Sequence, residues 1–199
     1  MTLSLVEFNG YNGKVWSDDR ILLVKLAGAM SPSGSGTSVQ YLGAVGGIAV
    51  PVSVIPVLTV HATYVANDYV GTDHTAMIFP GASRIPGGSG YIVNAVLEDN
   101  VSASVSGELW MFRSAPAGLP DDSAAFTITD ADARECIGII PFNTYYASAL
   151  NSIAMGDIKI PIGFTCAVGS TSLYGAFVTR GAPGYTANDL QFRLFFEQY

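Results

Sequence analysis

The chain has little charge, few basic side chains and few of the residues that carry most enzyme chemistry. Charged residues fill 13% of its 199 positions, about half the ~25% usual in soluble domains. Lys and Arg number nine against sixteen Asp and Glu, a formal net charge of −7. Nucleic-acid binding needs a Lys/Arg patch to meet phosphates, and these nine are scattered. Anionic lipid is repelled by the same acidic surface. Nucleic acid and membrane are therefore set aside as partners.

Cysteine is equally scarce. Cys136 and Cys166 sit in apolar runs ("ARECIGII", "IGFTCAVG") and read as buried thiols, too few for a disulfide framework. Two histidines cannot supply a three-ligand zinc site without carboxylates or thiols at suitable spacing. His61 falls in the apolar run "VLTVHATYV", and His74 has Asp73 beside it but no identifiable nucleophile. There is no P-loop, no G-x-G-x-x-G and no G-x-S-x-G; "GSGTS" and "GGSGY" match neither phosphate pattern. The expectation is a protein without catalytic residues or cofactor.

Long apolar runs are also missing, with one exception. "GAVGGIAVPVSVIPVLTV" (Gly43 to Val60) approaches membrane-spanning length, but it is valine-rich and holds Pro51, Pro56 and three glycines. Those features fit two extended segments joined at a proline break. No basic segment opens the chain and Lys25 interrupts "ILLVKLAGAM", so no signal peptide is read there.

What the chain does have is β signal. Residues 1–38 stand apart as an N-terminal arm or small accessory lobe. "FNGYNGKVWSDD" carries two Asn-Gly pairs, which mark tight turns and a possible hairpin around Tyr11. "SDDRILLVKLAGA" fits a short helix or a strand, and "SPSGSGTS" is a linker by composition. From Val39 the chain reads as about eight strands separated by Gly, Pro, Asn and Asp. "VIPVLTVHATYV", "HTAMIFP", "GYIVNAVLED", "VSASVSGELWMF", "CIGIIPF", "IKIPIGF", "SLYGAFVTR" and "LQFRLFFEQ" are the segments. In "VSASVS", Val101, Ala103 and Val105 alternate with serines, the period of a half-buried strand, and Gly107 admits a bulge. The fold expected is all-β: an antiparallel, jelly-roll-like β-sandwich over 39–199 with one or two short helices.

The one knot of acid is "LPDDSAAFTITDADARE", Leu119 to Glu135. A calcium site built from Asp121, Asp122, Asp130 and Asp132 is one reading. An EF-type loop, however, wants alternate carboxylates, a central glycine and a twelfth-position Glu, and the spacing here differs. The favoured reading is architectural. Thr129 becomes a helix N-cap, with Asp130 and Asp132 in the first turn at the positive end of the helix dipole. Exposed aromatics admit a glycan platform, although such rings more commonly fill a core or a subunit interface. Tyr11, Trp16, Tyr145, Tyr146 and Tyr185 are the interface candidates.

Four stretches in order, "PGGSGYIVNAVLED", "GELWMFRSAPAGLPDD", "SAAFTITDADARECIGIIPF" and "STSLYGAFVTRGAPGYTANDLQFRLFF", resemble a family of small structural proteins of tailed bacteriophages. The likeness spans about Val54 to Phe196; "WMF" before the proline turn departs from it, and the first fifty residues are individual. The resemblance implies a virion component without enzymatic activity. The part expected is a head decoration or cement protein assembled in the host cytoplasm. Its expected partners are itself, as a homo-oligomer with a trimer first, and the major capsid protein. A tail, neck or baseplate component is the nearest alternative, and a glycan-binding sandwich the next.

Overall fold

The computed structural model describes residues 49–59 and 63–199 throughout, and ahead of them the strand segments 5–6, 15–18 and 21–23. The chain divides into two units, Met1–Gly46 and Gly47–Tyr199. In the first, β1 (Leu5–Val6), β2 (Val15–Asp18) and β3 (Ile21–Leu23) form an antiparallel sheet in that order. The run "ILL", open between helix and strand in the sequence, is a strand. Tyr11, the linker 31–38 and His61 lie outside the described residues.

The described residues of the second unit are all-β apart from one short helix. β4 (Ala49–Val54), β7 (Ser89–Asp99), β10 (Tyr145–Ala147), β11 (Ser152–Met155), β12 (Ile162–Thr165) and β14 (Leu190–Gln198) make a six-stranded antiparallel sheet. The order is β10-β11-β7-β14-β4. β12 pairs with the start of β7 and β11 with its end, along the edge that β14 leaves free. β5 (Tyr69–Val70), β6 (Met77–Phe79), β8 (Gly107–Phe112), β9 (Cys136–Phe142) and β13 (Leu173–Thr179) make the second sheet, ordered β5-β13-β8-β9 with β6 also on β13.

Alternation explains the long strands. Leu190, Phe192, Leu194 and Phe196 of β14 are buried while the residues between them are not, the signature of a strand with one covered face. β7 keeps its own pattern by a bulge. Asn94 pairs with Phe195 and Ile92 with Phe196, so Val93 is the extra residue, and Ile92 and Ala95 both point inward. The sheets share one core, in which Phe192 of β14 lies 5.0 Å from the ring of Phe177 (β13) and 6.1 Å from Phe142 (β9).

Several local expectations change. "VSASVS" is not a strand, because Ser102 and Ser104 both adopt φ of 53°, a left-handed conformation incompatible with a ladder. The cause is Asp99, fully buried, whose carboxylate accepts the N–H of Val101 (3.1 Å) and of Ser104 (2.7 Å). The chain wraps this acceptor before β8 starts at Gly107, and the bulge sits instead between β8 and β9, leaving Ile137 as the extra residue. The expected strand "VIPVLTVHATYV" is not one: of its described residues only the first, Val54, belongs to a strand, β4, which runs back to Ala49. "IKIPIGF" becomes a strand only from Ile162. "ANDYVGTD", rich in turn-forming residues, nevertheless contains β5, and "TYYASALNSIAM" contains two strands that its composition does not announce.

Candidate interaction surface

The acidic stretch is a cover rather than a cluster. After β8 the chain crosses the outer face of the second sheet, and Leu119, Phe126 and Ile128 pack on Phe112, Trp110, Tyr174 and Ala176. The Phe126 ring lies 5.2 Å from Trp110 and 6.5 Å from Tyr69. Backbone bonds tie the cover to the segment before β5 and to β5 itself. Tyr69 N–H donates to Ala124 O (2.9 Å), Ser123 N–H to Tyr69 O (2.9 Å) and Phe126 N–H to Asn67 O (2.8 Å).

Each aspartate then has separate work. Asp121 is exposed and meets His74 Nε2 at 2.8 Å. Asp122 is buried, accepts from the Tyr64 hydroxyl (2.9 Å) and Gly71 N–H (3.1 Å), and donates its own N–H to Asp73 (2.8 Å). Burial, and then the bond to Asp122, push the Tyr64 phenol up. Thr129 caps α1 (Asp130–Glu135), accepting the Asp132 N–H at 3.1 Å. Asp130 is exposed in the first turn. Asp132 turns back to accept the N–H groups of Ala117 (2.9 Å) and Gly118 (3.0 Å) and the Thr129 hydroxyl (2.8 Å). Desolvation raises its pKa, but these donors together outweigh that and hold the carboxyl below its usual range. The structure does not bring the four carboxylates together. Among the described residues, no three His, Cys, Asp or Glu converge to hold a metal ion.

The remaining candidates separate by burial. Tyr185 is 1% exposed and packs on Tyr64 in the core, its hydroxyl without a hydrogen-bond partner among the described residues. Tyr145 is half-buried and donates to Val105 O at 2.6 Å. Trp16 lies on β2. Cys136 and Cys166 are free thiols, and burial pushes the Cys136 thiol up. None of the described helices is long and apolar enough to cross a membrane.

Tyr146 is different: it is 70% exposed on β10, directly opposite Ile153 of β11, which is 41% exposed. Met155, two residues on along the same face, is 44% exposed, and Leu150 in the connecting turn is 80% exposed. The hairpin is held shut by Ser148, whose N–H donates to Asn151 O at 2.7 Å and whose Oγ accepts the Asn151 N–H at 3.2 Å. Because Ser148 and Asn151 are a bonded pair, alternation makes Tyr146 and Ile153 the next one. The backbone groups of Tyr145 and Ala147 therefore face outward along an edge. This edge hairpin therefore displays four exposed apolar side chains, a feature that marks interaction surfaces.

No family model, curated protein or solved structure matches the chain. What it does is therefore argued from the surface itself. The sequence drew attention to Tyr146 as one of many tyrosines. It gave no signal for Ile153, Met155 or Leu150, which join it only because β10 and β11 form a hairpin.

Proposed function

We propose that this protein is a non-enzymatic structural component of a tailed-bacteriophage particle, folded as a jelly-roll-like sandwich and serving as a head decoration or cement protein. The observation that carries the reading is the apolar stripe of Tyr146, Leu150, Ile153 and Met155 on a free sheet edge. A lone soluble domain gains nothing by displaying it, whereas a lattice component buries it against a neighbour. The four stretches that resemble the phage family lend support. They supply β7 and β14 from the middle of the first sheet, β8, β9 and β13 from the second, and the cover with α1.

In this reading the protein assembles as a homo-oligomer, a trimer first, on the major capsid protein of particles built in the host cytoplasm. The stripe contacts a second copy or a capsid subunit, and residues 1–38 reach onto a neighbour. Electron microscopy of intact particles tests it by copy number: hundreds of copies on the head support decoration, and a single ring at the neck, tail or baseplate replaces it with that alternative. Purified protein should bind expanded capsids saturably. Tyr146→Ser with Ile153→Ser should abolish that binding while the melting temperature holds. Binding on a glycan array, with none to capsids, would replace the reading with a sugar-binding module.

A further inference from the structure

The two sheets meet along a seam where β9, an edge of the second sheet, runs beside β12, an edge of the first. They touch closely: a Cβ on Gly138 would lie 3.0 Å from Ile162 Cγ2. Yet among the described residues β9 pairs only with β8 and β12 only with β7. At one end of this seam is a cleft of about 330 Å³, lined by Arg113, Arg134, Glu135, Ile137, Gly163, Phe164 and Thr165. That volume is at the small end of ligand sites, which run from roughly 300 to 1,000 Å³.

Three features of the cleft point to one kind of ligand. First, one side of its backbone has no strand partner among the described residues. Cys166 N–H donates to Gly88 O, so the even-numbered residues of β12 bond to β7 and the N–H and C=O groups of Gly163 and Thr165 point away from it. Second, its lining includes two apolar residues, the half-buried Ile137, which is the bulged residue of β9, and Phe164, whose ring belongs to the core. Third, its rim is cationic on a protein of net charge −7. Arg113 is fixed by Glu135, Nε to Oε2 at 2.9 Å and Nη2 to Oε1 at 2.7 Å, and Ser114 Oγ donates to the same carboxylate at 3.0 Å. Glu135 is thus spent on Arg113. Among the described residues Arg134, exposed beside it, has no ion pair, whereas Arg113, Lys159, Arg180 and Arg193 each have one. Its place in the last turn of α1 suits the helix dipole, but that alone does not require a neighbouring cleft with an open strand edge.

We propose that this cleft binds an extended peptide segment bearing a carboxylate, which adds to the free edge of β12 and places its anion against Arg134. Main-chain bonds to Gly163 and Thr165 supply affinity, an apolar residue fills the space over Phe164 and Ile137, and the arginine selects the charge. The ligand's carboxylate is a Glu or Asp side chain or a chain terminus. None of the residues lining the cleft belongs to the Tyr146 stripe, and the inference does not depend on the virion reading.

The test uses the full chain and a fluorescein-labelled octapeptide of alternating valine and threonine with one central glutamate, its C-terminus amidated. Anisotropy should report saturable binding that weakens with salt. Replacing the peptide's glutamate by glutamine, or Arg134→Ala in the protein, should each lower affinity about ten-fold, the effect of one charge-assisted contact. Arg84→Ala, at the other described arginine without an ion pair, should change nothing, and melting curves check that each variant is folded. Hydrogen exchange should slow at the Gly163 and Thr165 amides on binding. A free C-terminus that restores affinity to the glutamine peptide assigns the anion to a chain end and supports the site. Equal affinity of the amidated glutamate and glutamine peptides, no effect of Arg134→Ala, or no binding of either peptide would overturn it.

Discussion

At the scale of the residue, the acidic side chains of this protein are fasteners of backbone. Asp99 gathers two N–H groups of the loop that follows it, and Asp132 gathers two from the loop that precedes its helix. Each takes amides that have no ladder partner and would otherwise be left poorly satisfied. His74 acts in the same region by charge. Its Nδ1 lies 2.8 Å from Leu119 O and its Nε2 2.8 Å from Asp121 Oδ1. Both neighbours are acceptors, so both nitrogens can donate only when the ring is an imidazolium. The Leu119 carbonyl, then the charge of Asp121, hold its pKa above the ordinary 6.5 against desolvation, with Asp73 adding to them. A raised folded pKa means that the contact stabilises the fold below the unfolded value of about 6.5 and is lost as pH rises through the folded one. Both side chains are largely exposed, so screening keeps the effect small. Melting temperatures of wild type and His74→Gln should differ most near pH 5 and converge by about pH 9. A gap that stays constant with pH would mean that the ring contributes by packing alone.

At the scale of the element, the cover over the second sheet decides how much apolar surface the molecule shows. Phe126 is its anchor, since it meets both Trp110 and Tyr69. Phe126→Ala should cost about 2–3 kcal/mol, below the roughly 3–5 of a fully buried ring because Phe126 is half-buried. Removing the ring also wets Trp110. In a Trp16→Phe background, which leaves Trp110 as the only tryptophan, its emission should shift to longer wavelength under native conditions. Unchanged emission would place the anchor elsewhere in the cover. The sequence made part of this element readable. The Thr129 cap, the acidic first turn and the strand "CIGIIPF" are local patterns, and they stand in the structure as Thr129, α1 and β9. "LQFRLFFEQ" is β14 for the same reason. "VSASVS" misled because its alternation competes with a carboxylate at Asp99, which no periodicity reports. The β10–β11 hairpin escaped because its strands are three and four residues long, too short for a period to show. The cleft at the seam was invisible because Arg113, Arg134 and Gly163 come from separate segments joined only by topology.

At the scale of the whole second unit, its stability depends on how closely the two sheets approach at their shared edge. The chain leaves the six-stranded sheet through Gly156, whose N–H donates to Ala95 O at 2.8 Å, and the next N–H, Asp157, donates across to Pro141 O of β9 at 2.8 Å. The two peptide groups on either side of Gly156 thus link the two sheets. They lie this close because position 156 has no side chain: a Cβ there would come within 2.5 Å of Ile140 Cγ2 and 2.9 Å of Ala95 Cβ. Both neighbours are fully buried core residues, one from each sheet, and neither can swing into solvent. Gly156→Ala should therefore wedge the seam open and cost about 1–3 kcal/mol, the usual penalty for overfilling a packed core. Ile140→Ala alone should cost about 2–5 kcal/mol through the cavity it leaves. The double variant should be more stable than the sum of the two losses predicts, by about 1 kcal/mol, because the new methyl occupies part of that cavity. Urea unfolding of the four proteins measures the coupling. Strict additivity would mean that the glycine is needed for its backbone and not for the space it leaves, and the close approach of the sheets would then have to be maintained by the Asp157 to Pro141 bond.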